Sequence, residues 1–132
     1  MPQFNKETLG AKLAKYKIKY FHLPKLGGRC KVKTDIHSSI QSPGFAGYAD
    51  HIMTNDFRQG LKLLKRIGRK CRTAYMCAEG PYFKCHRRMI NDRLEYDGWE
   101  VYHLNTANGV PKRHDIWDIS RLDKDNNIIY DR

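Results

Sequence analysis

Hydrophobic residues recur with a helical period in two segments of the first half of the chain. In the first segment, Leu9, Leu13 and Tyr16 form one apolar stripe, and Asn5 precedes it as the predicted N-cap. In the second segment, the stripe consists of Phe57, Leu61 and Leu64, and the predicted N-cap is Asn55 or Asp56. A short helical segment that ends at Met53 is expected between these two helices, after the loop of residues 44–50.

Three other segments alternate apolar and polar residues or are continuously apolar, which is typical of strands. They are Lys17–Leu23, Ala74–Ala78 and Trp99–Leu104. A polar loop follows the second strand and leads into a helix that is predicted to begin near Cys85 and to end at Asp97, before Gly98. Two strand-like segments, residues 116–119 and 128–130, lie in the C-terminal tail.

This order of elements predicts the fold class. Helices that alternate with strands favour a three-layer α/β fold with a small, mainly parallel sheet flanked by helices. The length of 132 residues is that of one domain. We therefore predict a single α/β domain over residues 1–132, with a core from about residue 5 to residue 104 and a C-terminal extension over residues 105–132.

Charge changes this picture by indicating a partner. The net charge is +11, and it is uneven, because residues 1–72 carry +12 and residues 73–132 carry −1. Such a basic half favours a nucleotide or nucleic acid as the partner, although a solvated basic face also serves solubility. The predicted nucleic-acid-binding residues lie on the exposed side of the second helix. They are Lys62, Lys65, Arg66, Arg69 and Lys70.

The sequence predicts no membrane partner. It contains no run of about 18 apolar residues, and the N-terminus lacks the apolar core of a secretory signal. We therefore expect a cytoplasmic protein. The four cysteines are then expected to be free, catalytic or metal-bound rather than paired in disulfides.

The candidate chemistry is densest between the strand at residues 74–78 and the helix that follows it. Ligands of open α/β sheets bind at the carboxyl ends of strands, beside helix N-termini. Arg87 and Arg88 begin this helix and are predicted to bind an anion. The alternative is that they pair with Asp92, Glu95 or Glu79.

Thiols and acid–base groups share the same loop. Cys85 lies at a helix N-terminus beside His86 and Arg87, a setting that favours a nucleophilic or redox thiolate. The alternative is a small buried thiol, and this reading suits Cys77 better than Cys85. Glu79 is predicted to be a general acid or base, to hold a ribose hydroxyl, or to neutralise Arg87.

The carboxyl end of the predicted strand Lys17–Leu23 is expected to lie at the same edge of the sheet. His22 is a further candidate for acid–base work there, and Gly27 and Gly28 would let the backbone approach a phosphate closely. Tyr48 is predicted to cover the ligand, while either Tyr48 or the nearby Phe45 packs inside. Zinc binding would need Cys77, Cys85 and His86 with His22 or Cys30. Two observations argue against a zinc site: the candidate ligands Cys85 and His86 are adjacent, which is rare for two ligands of one ion, and the sequence has no C-x-x-C motif. We therefore predict no metal and no other cofactor.

These residues make the chain resemble the family called domain of unknown function 488. The motifs that carry the resemblance are Pro2-Gln3-Phe4-Asn5-Lys6, His22-Leu23-Pro24 with Leu26-Gly27-Gly28, Phe45-Ala46-Gly47-Tyr48-Ala49-Asp50, Met76-Cys77-Ala78-Glu79 and Cys85-His86-Arg87-Arg88. The resemblance implies an α/β fold with a pocket formed by these motifs. It implies no particular reaction.

The chain departs from that family at its start. Members usually begin with a strand that ends in an Asp-Val-Arg stretch, and this chain begins just after that point. The resemblance thus implies an uncovered sheet edge, which proteins normally protect. We expect residues 116–119 or 128–130, or preferably a second copy of the chain in a symmetric dimer, to cover this edge.

Three functional hypotheses follow. The leading one is a pocket for a phosphate, a nucleotide or nucleic acid, with an enzymatic role, at the loop that contains Cys77, Glu79, Cys85, His86 and Arg87. The second is a non-catalytic nucleic-acid-binding module that uses the basic half. The third is a thiol-redox protein that uses Cys77 and Cys85.

Overall fold

Helices dominate the computed structural model, which describes residues 6–28, 30–76, 85–104 and 106–132. The helices are α1 (Lys6–Lys15), α2 (Pro43–His51), α3 (Asn55–Lys70) and α4 (Arg87–Tyr96), and Pro24–Leu26 forms a 3-10 turn. The strands are β1 (Tyr102–His103), β2 (Lys112–Arg113), β3 (Ser120–Leu122) and β4 (Ile128–Tyr130). No described helix has the length and apolar content needed to cross a membrane.

Local sequence explains where the two central helices begin and end. The side chain of Thr54 accepts a hydrogen bond from the N–H of Phe57 (3.2 Å) and caps α3. The predicted cap at Asn55 or Asp56 is therefore wrong by one or two residues. Helix α4 ends at Tyr96 with Asp97 as its C-cap, and Gly98 follows with a φ of +92°. This confirms the predicted helix stop, because glycine adopts positive φ without steric cost.

The mixed α/β composition is confirmed, but the mainly parallel sheet is not. In the described residues, β1 pairs antiparallel with β2, and β3 pairs antiparallel with β4. The first predicted strand, Lys17–Leu23, enters neither sheet, and Ile18 and Phe21 within it are 52% and 55% exposed. Alternation predicts an extended chain, whereas a strand also needs a partner, and here each partner is its local hairpin neighbour.

The outcome differs among the other predicted strands. Residues 74–76 belong to no strand in the described part of the chain, and the rest of that segment lies outside the described residues. The hydroxyl of Tyr75 donates to the side-chain oxygen of Asn91 and attaches this segment to α4. Only Tyr102–His103 of the third predicted strand forms a strand. Residues 116–119 precede β3 as a turn, whereas the segment at residues 128–130 is confirmed as β4.

The core lies between α2, α3, α4 and β4. Its most buried large side chains are Tyr48, Phe57, Met89, Ile128 and Tyr130. The stripe of Phe57, Leu61 and Leu64 is confirmed as buried. Tyr16 lies beyond the end of α1 and is 78% exposed, so the predicted stripe of the first helix does not extend to it. The C-terminal residues thus contribute directly to the packing that positions α4.

Candidate functional site at the start of helix α4

The 3-10 turn and the two glycines after it, residues 24–28, are fixed against α2. The Tyr48 hydroxyl donates to the carbonyl oxygen of Leu26 (2.8 Å), and Nε2 of His51 donates to that of Lys25 (2.7 Å). The backbone of Cys30 approaches Gly47 so closely that a Cβ on Gly47 would lie 2.1 Å from the Cys30 carbonyl oxygen. These contacts hold the Gly27–Gly28 segment in place.

His86 joins this loop to α4. Its ring lies 4.8 Å from the ring of Tyr48 between centroids, and a Cβ on Gly28 would lie 2.2 Å from its Nδ1. The structure thus brings together Gly28, Tyr48 and His86, three residues that the sequence predicted for one site. Tyr48 is fully buried, and this burial raises its pKa. The buried ring of Tyr48 therefore contacts the ring of His86 from the side of the core.

The thiol of Cys85 is surrounded by nitrogen atoms. Its Sγ accepts hydrogen bonds from the backbone N–H and from the Nε–H of Arg87, both at 3.4 Å, and lies 3.6 Å from Nδ1 of His86. Cys85 is 2% exposed. Hydrogen bonds to sulfur, a guanidinium and an imidazole each stabilise a thiolate over a thiol. This arrangement fits the predicted environment of a nucleophilic cysteine.

The two arginines at the start of α4 have different surroundings. Arg87 contacts Cys85 as described above. Arg88 places its guanidinium carbon 3.7 Å from the centroid of the Trp117 ring, a cation–π contact. Two of the three predicted alternative partners of these arginines bind other groups, and the third, Glu79, lies outside the described residues. Asp92 binds His114, Trp117 and Tyr130, and Glu95 binds Arg113 and the N–H of Val101.

An open cleft of about 470 Å³ lies beside this site. It is lined by His22, Pro24, Gly27, Gly28, Cys30 and His51. Three of these residues, namely His22, Gly27 and Gly28, were predicted at the rim. Burial raises the pKa of the Cys30 thiol, and nearby Lys33 opposes this shift only in part. Cys30 is thus a poor candidate for a thiolate.

Cys77 and Glu79 were also predicted at the site, and they lie outside the described residues. Within the residues that the structure describes, no three His, Cys, Asp or Glu side chains are grouped closely enough to hold a metal ion. The site is therefore best described through its thiol, its imidazole and its guanidinium.

The five predicted nucleic-acid-binding cations of α3 do not form one uniform face. Lys65 donates to Oδ2 of Asp97 (2.6 Å), and Arg69 lies 5.8 Å from the Trp99 ring. Lys62, Arg66 and Lys70 are exposed, follow a spacing of four residues, and form no ion pair with any residue that the structure describes. These three side chains remain available to solvent.

Sequence analysis missed one polar cluster next to the site. The carboxylate of Asp92 is fully buried in α4 and accepts a hydrogen bond from Nε2 of His114 (2.6 Å), and Nδ1 of His114 contacts Nε2 of His103 (2.9 Å). A signal was present, because Asp92 falls on the buried face of an otherwise apolar helical stripe with Met89. A carboxylate there requires buried donors.

Comparison with known proteins identifies the family of this chain. The model of the family described as Domain of unknown function DUF488 matches residues 1–94, and the chain belongs to that family. The resemblance noted in the sequence is thus confirmed. No curated protein and no solved structure matches the chain.

Proposed function

We propose that this protein is a cysteine-dependent enzyme whose nucleophile is Cys85 and whose substrate carries a phosphate, as a nucleotide does. The observation that carries the proposal is the environment of the Cys85 sulfur, with two hydrogen bonds from Arg87 and the imidazole of His86 at 3.6 Å. A thiolate is the reactive form of cysteine, and these three groups favour it.

Each residue of the site then has a role. Nδ1 of His86 takes the thiol proton of Cys85, the thiolate attacks an electrophilic centre of the substrate, and His86 returns the proton to the leaving group. The tilted ring contact of His86 with Tyr48 and its contact with Gly28 support this role, because they keep the ring beside the sulfur. The basic first half of the chain favours an anionic substrate in the cleft lined by Gly27 and Gly28.

Thiolate absorbance in the ultraviolet, followed against pH, tests the nucleophile without requiring access of a reagent. The wild type should show one thiol that ionises below the ordinary value of about 8.5. C85S should lose this transition, and R87Q should move it to higher pH. C71S is the matched control, because Cys71 is exposed and should leave the transition unchanged. If C85S and the wild type titrate alike, the proposal is wrong.

The substrate class has its own test. Inorganic phosphate and a panel of nucleotides should raise the melting temperature of the wild type and not that of R87Q. K124Q removes one positive charge far from the site in sequence and should respond like the wild type. Equal stabilisation of R87Q and the wild type would exclude Arg87 from anion binding.

A second candidate function is nucleic-acid binding by α3. The observation that favours it is the exposed row of Lys62, Arg66 and Lys70, spaced to follow a phosphate backbone. Changing all three to Gln should weaken binding to duplex DNA and reduce the salt slope by about 0.9 for each lost phosphate contact. K65Q is the control, because Lys65 is bound to Asp97. A wild type that binds no nucleic acid at low salt would contradict this function.

A further inference from the structure

An open groove of about 580 Å³ lies between the first helix and the segment that follows it. Helix α1 contributes Gly10 and Ala14 to its lining, and the following segment contributes Ile18, Tyr20 and Phe21. The volume is that of an ordinary ligand site, which spans about 300–1,000 Å³. None of these residues lines the cleft beside the thiol site, so the groove is a separate surface.

The end of α1 creates this groove. The N–H of Ile18 donates to the carbonyl oxygen of Leu13 (3.0 Å), which is the long hydrogen bond of a Schellman motif. Lys17 occupies the left-handed position of the motif, with a φ of +60°. The turn brings Tyr20 back to the helix, where its Cδ1 would lie 3.4 Å from a Cβ on Gly10. The absence of a side chain at Gly10 thus lets the Tyr20 ring approach α1.

The groove carries unbalanced positive charge. Lys17 and Lys19 also line it, and both are exposed and form no ion pair with any residue that the structure describes. Residues 8–34 contain eight Lys or Arg residues and no Asp or Glu. Glu7, the acidic residue of α1, lies in the first turn, at the other end of the helix from Lys17. Such a charge distribution favours a polyanionic ligand.

An exposed aromatic ring narrows the class of polyanion. Phe21 is 55% exposed and lines the same groove as Lys19. Proteins that bind single-stranded nucleic acid combine a positively charged groove with aromatic side chains on which bases stack. In a duplex, neighbouring bases already cover both faces of each base, so a ring in a groove can stack only on an unpaired base. An acidic peptide would satisfy the lysines but would not require an exposed phenylalanine.

We propose that this groove binds single-stranded nucleic acid. Phe21 stacks on a base, and Lys17 and Lys19 contact the phosphates on either side of it. Ile18 and Tyr20 provide the apolar wall of the groove. The surface includes neither Cys85 nor the cations of α3, so the proposal goes beyond the proposed function and does not rest on it.

Fluorescence anisotropy with a labelled oligothymidylate of about 16 nucleotides tests the stacking contact. The wild type should bind this probe at low salt, and F21A should bind it about 5- to 150-fold more weakly, since stacking on one base contributes about 1–3 kcal/mol. Y102A is the matched control, because Tyr102 is 50% exposed but lies on β1, outside the groove. An F21A protein that binds as tightly as the wild type would overturn the proposal, as would a wild type that does not bind.

Salt dependence tests the phosphate contacts. K17Q/K19Q should reduce the salt slope by about 0.7 for each lost contact with a single strand. K12Q is the control, because Lys12 is exposed on the same helix but lies about 200° around its axis from Gly10. K19Q alone keeps the comparison valid if a substitution at position 17 disturbs the turn. Equal slopes in K19Q and K12Q would show that the groove lysines do not contact phosphate.

Other probes separate this ligand from the alternatives. Binding of duplex DNA should be the same in F21A and the wild type, because paired bases cannot stack on the ring. A glutamate peptide, phosphatidylserine vesicles and self-association measured by light scattering test an acidic segment, a membrane and a second copy of the chain. If any of these depends on Phe21 while the oligothymidylate does not bind, the proposal is wrong.

The thiol site has no part in this result. C85S should bind the oligothymidylate like the wild type, because Cys85 is buried and does not line the groove. Failure of single-strand binding would therefore leave the proposed function intact, and failure of the thiol titration would leave this groove intact. A C85S protein that loses the Phe21-dependent binding would contradict a separate surface.

Discussion

The main-chain N–H of Tyr130 donates a hydrogen bond to Nδ1 of His37 (3.1 Å), although the two residues are 93 positions apart. Both residues are buried. Because Nδ1 accepts this bond, His37 is neutral and carries its proton on Nε2, which lies 3.6 Å from Oδ1 of Asp50. A second proton would place a donor against the N–H of Tyr130. This hydrogen bond thus attaches β4 to the His37 ring, whose protonation is disfavoured.

This relationship predicts a pH dependence of stability. Burial lowers the pKa of His37, and the charges of Asp50 and Asp131 oppose this shift only in part. Below the unfolded value of about 6.5, the unfolded chain gains a proton that the folded protein does not. The free energy of unfolding should therefore fall as the pH drops from about 6.5 towards the folded pKa. H37Q should flatten this decline in urea titrations, whereas H22Q should preserve it. Parallel pH profiles for H37Q and the wild type would show that His37 contributes nothing.

Gly28 should be sensitive to substitution by alanine. A Cβ at this position would lie 2.2 Å from Nδ1 of His86, so G28A must displace a ring that is also packed on Tyr48. Overpacking of this kind costs about 1–3 kcal/mol. The control is G44A, where the nearest atom lies at 3.9 Å and the helical position favours alanine by about 0.5–1 kcal/mol. Denaturant unfolding measures both, and a G28A protein as stable as wild type would mean that His86 is not held against Gly28.

Truncation of two phenylalanines tests which segments of the chain are packed in the core. Phe57 is fully buried, and F57A should cost about 3–5 kcal/mol of unfolding free energy. Phe21 is 55% exposed, and F21A should change the stability by no more than about 0.5 kcal/mol. A loss of several kcal/mol in F21A would instead indicate that residues 17–23 are packed in a sheet.

The N-cap of α3 provides a test between neighbouring residues. T54A removes the oxygen that accepts from the N–H of Phe57 and should destabilise the protein by about 1 kcal/mol. N55A removes an exposed side chain in the first turn and should have an effect within about 0.5 kcal/mol. Thermal unfolding of both variants is the measurement, and the reverse order of effects would restore the cap predicted from sequence.

Helices α3 and α4 were predictable because the signals that define them are local. The loop predicted at residues 44–50 is wrong, because these residues form most of α2 (Pro43–His51), and the helix ends before Met53. The spacing of Phe57, Leu61 and Leu64 identifies a buried face, and Gly98 marks a helix end, without knowledge of the rest of the chain. Strands need a partner, and alternation in residues 17–23 does not reveal whether one exists. The antiparallel pairing of β1 with β2 joins residues that the sequence pattern leaves separate.

The same difference between local and long-range signals applies to the candidate site. Cys85, His86 and Arg87 are adjacent in sequence, so their chemistry was visible before the structure. The polar cluster of Asp92, His114 and His103 was not, because these residues are brought together only by tertiary packing. The bond from Lys65 to Asp97 was also unpredictable, since 32 residues separate the two charges. The sequence indicated which polar groups to consider, and the structure shows which of them are already bound to other side chains.

The contacts of Asp92 show that the folded core extends beyond the segment that the family model matches. The family match ends at residue 94, yet the donors to the Asp92 carboxylate come from His114, Trp117 and Tyr130, beyond that boundary. A buried acceptor that loses its donors costs about 1–3 kcal/mol for each bond, a large fraction of the roughly 5–15 kcal/mol that stabilises a typical domain. A chimera that carries only residues 1–94 would therefore keep Cys85, His86 and Arg87 but lose the three donors that satisfy the buried carboxylate of α4.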